Sequence, residues 1–173
     1  METKYTISIY TENSVGLLNR VSAIFQRRNI NIISITSSAS EIDDVSRFVI
    51  VVSMTEEAVK KVVGQIEKQV EVIKAYYHTD EETIFQESAL YKVASKSLFE
   101  ERHIQNIIKK SHANIVTVNS KFFVIEKTGF RHETEQLYND LAPYGLLQFV
   151  RSGRISVTKS PMNIKALLNK LND

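Results

Sequence analysis

The 173-residue sequence contains no cysteine. That excludes a disulfide framework and any cysteine-based metal or redox site. Its five glycines are scattered and form no Gly-rich phosphate loop. No window approaches about 18 uninterrupted apolar residues, so no ordinary membrane-spanning helix is expected. Neither sign of charge dominates, with 22 Lys and Arg against 20 Asp and Glu. Such a balance provides no strong field to draw in nucleic acid or an anionic membrane. Met1 leads directly into a strand pattern with no charged n-region and apolar run, so no signal peptide is expected and the cytoplasm is the default compartment. The four histidines, His78, His103, His112 and His132, fall on separate predicted elements without metal-ligand spacing. No serine or threonine lies in a nucleophile-elbow context. The expectation is a chain with no catalytic or metal-binding residues of its own and no cofactor.

What is present is periodic. Tyr5, Ile7 and Ile9 alternate with polar neighbours, as in a strand. Leu17, Leu18, Val21, Ile24 and Phe25 follow at helical spacing. Ile30 to Ile35 and Arg47 to Met54 read as strands around the polar loop 37–44. Thr55 is the expected N-cap of a helix whose apolar stripe is Val59, Val62, Val63 and Ile66, and Val70 to Tyr76 closes the series as a strand. The acidic stretch 79–83 reads as a linker. The order then repeats, with strands at Ala89–Ala94, Asn114–Val118, Phe122–Lys127 and Leu147–Arg151. Helices are expected at Leu98–Lys110 and Glu133–Leu141. A further strand, Arg154–Thr158, and a terminal helix carrying Ile164, Leu167, Leu168 and Leu171 end the chain. The fold class is α+β: two ferredoxin-like βαββαβ domains, residues 1–78 and 84–173. The strand Phe48–Val52 is apolar on both faces, which predicts either a neighbouring element of the same chain or a dimer interface over its outer face.

The stretch Thr11 to Arg20 sits where the first strand gives way to the first helix. A turn of this kind offers unpaired backbone N–H groups and the positive end of a helix dipole, and so receives an anion such as an amino-acid carboxylate. Gly16 lets a ligand approach the backbone, with Leu17 and Leu18 supplying apolar surface. The plainer reading is a helix cap, with Asn13 or Ser14 as the N-cap residue.

Glu12-Asn13, Val15-Gly16-Leu17-Leu18, Arg20-Val21, Phe25 and Arg27 to Ile32 together resemble the opening of ACT domains, and more narrowly the small, regulatory subunit of acetolactate synthase. The likeness continues at Arg47-Phe48 and Gln65 to Gln69, and returns at Phe149 to Arg154. The resemblance makes 1–78 an amino-acid-sensing and dimerising ACT domain and 84–173 the small subunit's C-terminal domain. It implies an effector site of Asn13, Val15, Gly16, Leu17 and Leu18, with Asn31 and Ile32 facing the turn across a homodimer interface. It also implies a large catalytic subunit as partner and valine or a related branched-chain amino acid as effector. Thiamine diphosphate, Mg²⁺ and FAD would then sit in that partner, which condenses two pyruvates, or pyruvate with 2-oxobutanoate. Two departures from the family pattern stand out: Val150-Arg151-Ser152-Gly153 replaces Ala-Arg-Ser-Gly, and an arginine usual near Gln86-Glu87-Ser88 is missing.

Three other functions compete. One is a free-standing ACT regulator of another enzyme or a transcription factor. An RNA-recognition domain has the same element order and would stack bases on Tyr5, Tyr10 and Phe48, but the third strand, mostly aliphatic, lacks the aromatic-and-basic signature. Acylphosphatase chemistry would need an arginine in the turn, whereas Arg20 lies in the helix. The pair Arg27-Arg28 ends the first helix, where it complements the dipole.

Overall fold

The computed structural model describes residues 2–96 and 102–169. Strand β1 (Thr3–Glu12), helix α1 (Leu17–Arg27), β2 (Ile32–Ala39), β3 (Val45–Met54), α2 (Glu56–Ile66) and β4 (Val72–Thr79) follow in order. They form a four-stranded antiparallel sheet in the spatial order β2-β3-β1-β4. The series repeats as β5 (Thr83–Ala94), α3 (Arg102–Lys110), β6 (Asn114–Val118), β7 (Phe122–Gly129), α4 (Arg131–Leu141) and β8 (Leu146–Arg151). These strands take the equivalent order β6-β7-β5-β8. Strand β9 (Ile155–Thr158), which pairs with β5, and helix α5 (Ile164–Asn169) complete the described chain. The fold is the expected pair of ferredoxin-like βαββαβ domains. The expected helix segment 98–101 and Leu171 lie outside the described residues.

Side-chain spacing explains why these segments fold as they do. Leu17, Val21, Ile24 and Phe25 of α1 and Val59, Val62, Val63 and Ile66 of α2 are buried against Ile7, Ile9, Ile50 and Val52 of the sheet. Each such side chain contributes about 1.5–3 kcal/mol by leaving water. Leu18 falls outside the stripe and is exposed. The Thr55 hydroxyl caps α2 by accepting from Ala58 N at 3.3 Å, with Glu56 and Glu57 in the first turn. Arg27 lies in the last turn of α1, and Arg28 beyond it donates to Gln65 at 2.9 Å. Between β6 and β7, the Asn119 side chain accepts from the N–H groups of Lys121 and Phe122, closing a tight turn.

Two features differ from the domain boundaries expected from sequence. The stretch 79–83 is not a loose linker. Glu82 accepts hydrogen bonds from Thr79 N at 2.8 Å and from the Thr79 hydroxyl at 3.0 Å, closing a 3₁₀ turn over Asp80–Glu82. The acidic residues cap themselves, and β5 starts at once. Moreover, the chain divides into residues 1–85 with 154–173, and residues 86–153. The last strand and helix therefore belong to the first unit, not to a domain running from 84 to 173.

The outer face of the first sheet is the reason. Arg154 donates to Thr6 Oγ1 at 2.8 Å and pairs with Asp80 at 2.5 Å, while Thr36 Oγ1 donates to the Arg154 carbonyl at 3.3 Å. Arg47 donates to the Ser156 carbonyl at 2.7 Å. Residues 154–158 thus lie across the face that carries Thr6, Ser8, Tyr10, Val49 and Val51, all buried. A segment of the same chain, not a dimer partner, covers the apolar outer face of β3.

In the second unit, Tyr91, Phe123, Ile125, Ile104 and Leu137 form the core. The buried Tyr91 hydroxyl donates to the Thr134 carbonyl at 2.6 Å. Burial pushes the Tyr91 phenol up to about 12, with Arg151 opposing and Glu87 and Glu135 reinforcing the shift. The folded value lies above the ordinary one, so the protonated form is favoured on folding. That stability is intact below pH 10 and is lost as pH rises towards 12. Tyr91→Phe is expected to cost about 1 kcal/mol at neutral pH by orphaning the Thr134 carbonyl. It should also flatten the alkaline loss of stability. Urea titrations at neutral and alkaline pH check both; an alkaline limb unchanged in the variant contradicts the assignment.

Candidate functional site

The first strand ends with its backbone held on both sides. Glu12 N donates to the Glu71 carbonyl at 2.9 Å and Asn13 N to the Asp44 carbonyl at 3.1 Å. The chain then turns, and Gly16 stands at φ +81° as the residue capping α1. This corrects the plainer reading of the turn, since neither Asn13 nor Ser14 occupies the cap and Gly16 offers no side-chain bond. A Cβ at Gly16 would meet no atom within 4 Å. The glycine is required by its left-handed backbone, not by crowding within the chain. The space above it is open to a ligand.

The Gly16 carbonyl accepts from Asn19 N at 3.1 Å and Arg20 N at 3.3 Å. The N–H groups preceding these form the open end of the helix, where the dipole is positive. Val15 is 99 % exposed and Leu18 43 % exposed, whereas Leu17 is buried and anchors the turn to the core. The site therefore combines anion-attracting N–H groups with bare aliphatic surface. Arg20 flanks it but is paired with Glu71 at 2.5 Å, which neutralises its charge.

Asn31 and Ile32 lie elsewhere. They line a shallow groove of about 410 Å³ at the other end of α1, with Phe25, Gln26 and Ile30. The eleven residues of α1 put about 16 Å of helix between Gly16 and Asn31. A single copy brings Asn13 and residues 15–18 together, and Asn31 with Ile32, but not the two groups with each other. Strand β2, which follows Asn31, is an edge of its sheet and leaves Ile33 and Ile35 exposed.

The competing sites fare differently. Tyr5 and Phe48 are buried in the helix-side core, and Tyr10 is buried on the opposite face. A base-stacking platform needs exposed rings, so the RNA-recognition reading is excluded. His103, His112 and His132 line one groove of the second unit, although their predicted elements were separate. Among the described residues no group of His, Asp or Glu side chains could hold a metal ion. No described helix is long and apolar enough to cross a membrane.

Near the end of the second unit, Arg151 pairs with Glu87 at 2.8 Å and Glu135 at 2.6 Å. The Glu87 carboxylate thus lies beside the segment where the family pattern usually has an arginine. Ser152 exchanges bonds with Ser88 at 2.8 and 2.9 Å, tying the end of β8 to the middle of β5. The Arg-Ser-Gly stretch is thereby explained as a structural clasp.

Comparison with known proteins places these features. The fold is a pair of ferredoxin-like domains, and the first of them, glycine turn included, is an ACT domain. The AHAS small subunit-like ACT domain matches residues 7–74, and the family model described as small subunit of acetolactate synthase matches residues 86–160. The acetolactate synthase small subunit of Mycobacterium bovis is 33 % identical over 160 residues, covering 92 % of this chain and 95 % of that protein. That of Bacillus subtilis is 33 % identical over 168 residues, covering 96 % of each. The crystal structure of the small subunit from Thermotoga maritima superposes with a TM-score of 0.82 at 27 % identity, covering 92 % of this chain and 99 % of that one. The chain belongs to the acetolactate synthase small-subunit family.

Proposed function

We propose that this chain is the regulatory subunit of an acetolactate synthase. It binds the large catalytic subunit, raises its activity, and confers feedback inhibition by valine or a related branched-chain amino acid. Thiamine diphosphate, Mg²⁺ and FAD belong to the catalytic partner in this reading, and the reaction takes place there, in the cytoplasm.

The observation that carries the reading is the Gly16 turn: a left-handed glycine at an open helix end, with Val15 and Leu18 bare beside it. The backbone N–H groups near Val15 and Gly16 receive the effector's carboxylate. Asn13 and Asn31 bind its polar groups, and Leu18 and Ile32 bound its side chain, with the buried Leu17 anchoring the turn beneath. The helix length between Gly16 and Asn31 supports a composite site, with the turn from one copy and Asn31 from the other. The exposed edge of β2 supplies the surface for a homodimer. Burying a valine side chain yields about 1.5–3 kcal/mol. With hydrogen bonds to its charged ends, this suits a micromolar-to-millimolar sensor.

Bound effector can inhibit only by favouring one state of the assembled enzyme over another. A coupling of about 1–3 kcal/mol gives useful control and is reciprocal in binding. The test is calorimetric titration of the dimer with valine. Asn31→Ala is expected to weaken valine about tenfold, by loss of a bond to a charged group. Affinity equal to the parent's would remove Asn31 from the site.

A further inference from the structure

The outer face of the first sheet holds a second feature that the effector turn does not use. Between that face and the chain's own C-terminal segment lies a cavity of about 440 Å³, within the usual range of about 300–1,000 Å³ for small-molecule sites. Its floor is Ser8, Tyr10, Arg47, Tyr76 and His78, from three adjacent strands. Its roof includes Met162, Ile164 and Lys165, where the chain passes Pro161 and enters α5.

Arg47 is the unusual member. One terminal nitrogen donates to Ser8 Oγ at 3.2 Å and to the Ser156 carbonyl at 2.7 Å, and the guanidinium lies 5.6 Å from the centre of the Tyr10 ring. Its Nε is buried and has no hydrogen-bond partner among the described residues. Both acceptors are neutral, and no carboxylate pairs with Arg47 among the described residues. Arg47 is half-buried, and a partly desolvated cation without a carboxylate partner is stabilised by a ligand that brings an anion. Lys165, exposed on the roof, adds a second positive charge. Glu41, also exposed, is the lone acidic group in the lining. Burial pushes the phenols of Tyr10 and Tyr76 up, so both remain hydroxyl donors at neutral pH. Met162, Ile164 and Val157 supply apolar wall.

The geometry points to a binding site for a small carboxylate with a short apolar body, paired to Arg47 beneath the C-terminal segment and built from residues other than those of the Gly16 turn. The carboxylate forms the charge-assisted bonds that Arg47 lacks. The apolar body rests between the tyrosine rings and Met162. Acids without an ammonium group and amino acids share this chemistry. Glu41 at the rim is positioned to accept the ammonium of the latter.

The full chain, titrated calorimetrically with isovalerate at constant ionic strength, tests the site. Saturable binding in the millimolar range is expected, with isovaleramide, the neutral isostere, at least tenfold weaker. Arg47→Met should abolish binding. Because it also removes the bond to Ser156, Lys165→Glu serves as a second variant at an exposed position, expected to weaken isovalerate severalfold in a folded protein. Gly16→Asp should bind isovalerate as the parent does, which separates this site from the effector turn. Valine that competes with isovalerate in the Gly16→Asp protein supports an amino-acid site, and valine that does not compete supports a site for plain acids. Equal binding of isovaleramide, undiminished binding by a folded Arg47→Met, or no saturation up to about 100 mM would overturn the assignment.

Discussion

Gly16→Asp is expected to abolish valine inhibition of the assembled synthase while leaving the stimulation of the catalytic subunit in place. The substitution sets a carboxylate where the effector's carboxylate is proposed to bind, and like charges brought together cost several kcal/mol. Even 2.7 kcal/mol would weaken valine about a hundredfold. Two costs have to be kept apart. Gly16 has φ +81°, so any side chain there also loses about 1–2 kcal/mol of stability, with Asp and Asn at the lower end. Space is not the issue, since a Cβ finds no neighbour within 4 Å. Gly16→Asn is therefore the companion variant, with the same shape and backbone demand but no charge. Inhibition curves with valine should be lost for Asp and only shifted for Asn. A Gly16→Asp protein inhibited as strongly as the parent would remove the effector from this turn.

Arg154→Ala should be strongly destabilising for a change outside the hydrophobic cores. Its side chain is 11 % exposed and holds Asp80 at 2.5 Å. It also donates to Thr6 Oγ1 at 2.8 Å and lies 3.6 Å from the centre of the Phe85 ring. Truncation leaves Thr6, 1 % exposed, without this partner and Asp80 without its cation. Breaking a fully buried pair costs about 3–5 kcal/mol; Asp80 is 38 % exposed, so about 2–3 kcal/mol is the reasonable expectation. Hydrogen exchange should show the loss as faster exchange in residues 154–165 and along the outer face of the first sheet. Arg154→Lys should recover only part of it, since an ammonium cannot serve three partners in the same geometry. A loss under about 0.5 kcal/mol, the scale of an ordinary surface change, would mean that the segment is held by its apolar contacts instead.

The sequence carried the fold well where periodicity and caps agreed. The stripes of α1 and α2, Thr55 as cap and the Asn119 turn were legible because each is set by neighbours within a few residues. The element order then fixed both sheets, since a βαββαβ series leaves few ways to pair strands. What escaped was non-local. The burial of Val49 and Val51 could be read as covered or as dimeric, and only the register of Arg154, Ser156 and Arg47 shows their own chain above them. The same segment hides the Arg47 cavity, whose floor combines Ser8, Tyr10, Arg47, Tyr76 and His78 from three strands far apart in sequence. The run of acidic residues at 80–82 resembled a solvated linker because self-capping by Glu82 depends on backbone geometry rather than composition. In the candidate site, Gly16 and Leu18 were legible from the turn alone, whereas Val15 entered through the family resemblance. The significance of Asn31 rested on family resemblance, because a single copy holds it one helix length away from Gly16.

The most direct measurement is acetolactate formation by the cognate large subunit, titrated with this chain and then with valine. Saturable stimulation followed by valine inhibition, absent when the large subunit is assayed alone, is the predicted result. Stimulation without valine sensitivity would keep the partner but move the effector to another ligand. A large subunit whose activity and valine response are unchanged by this chain would contradict the regulatory reading.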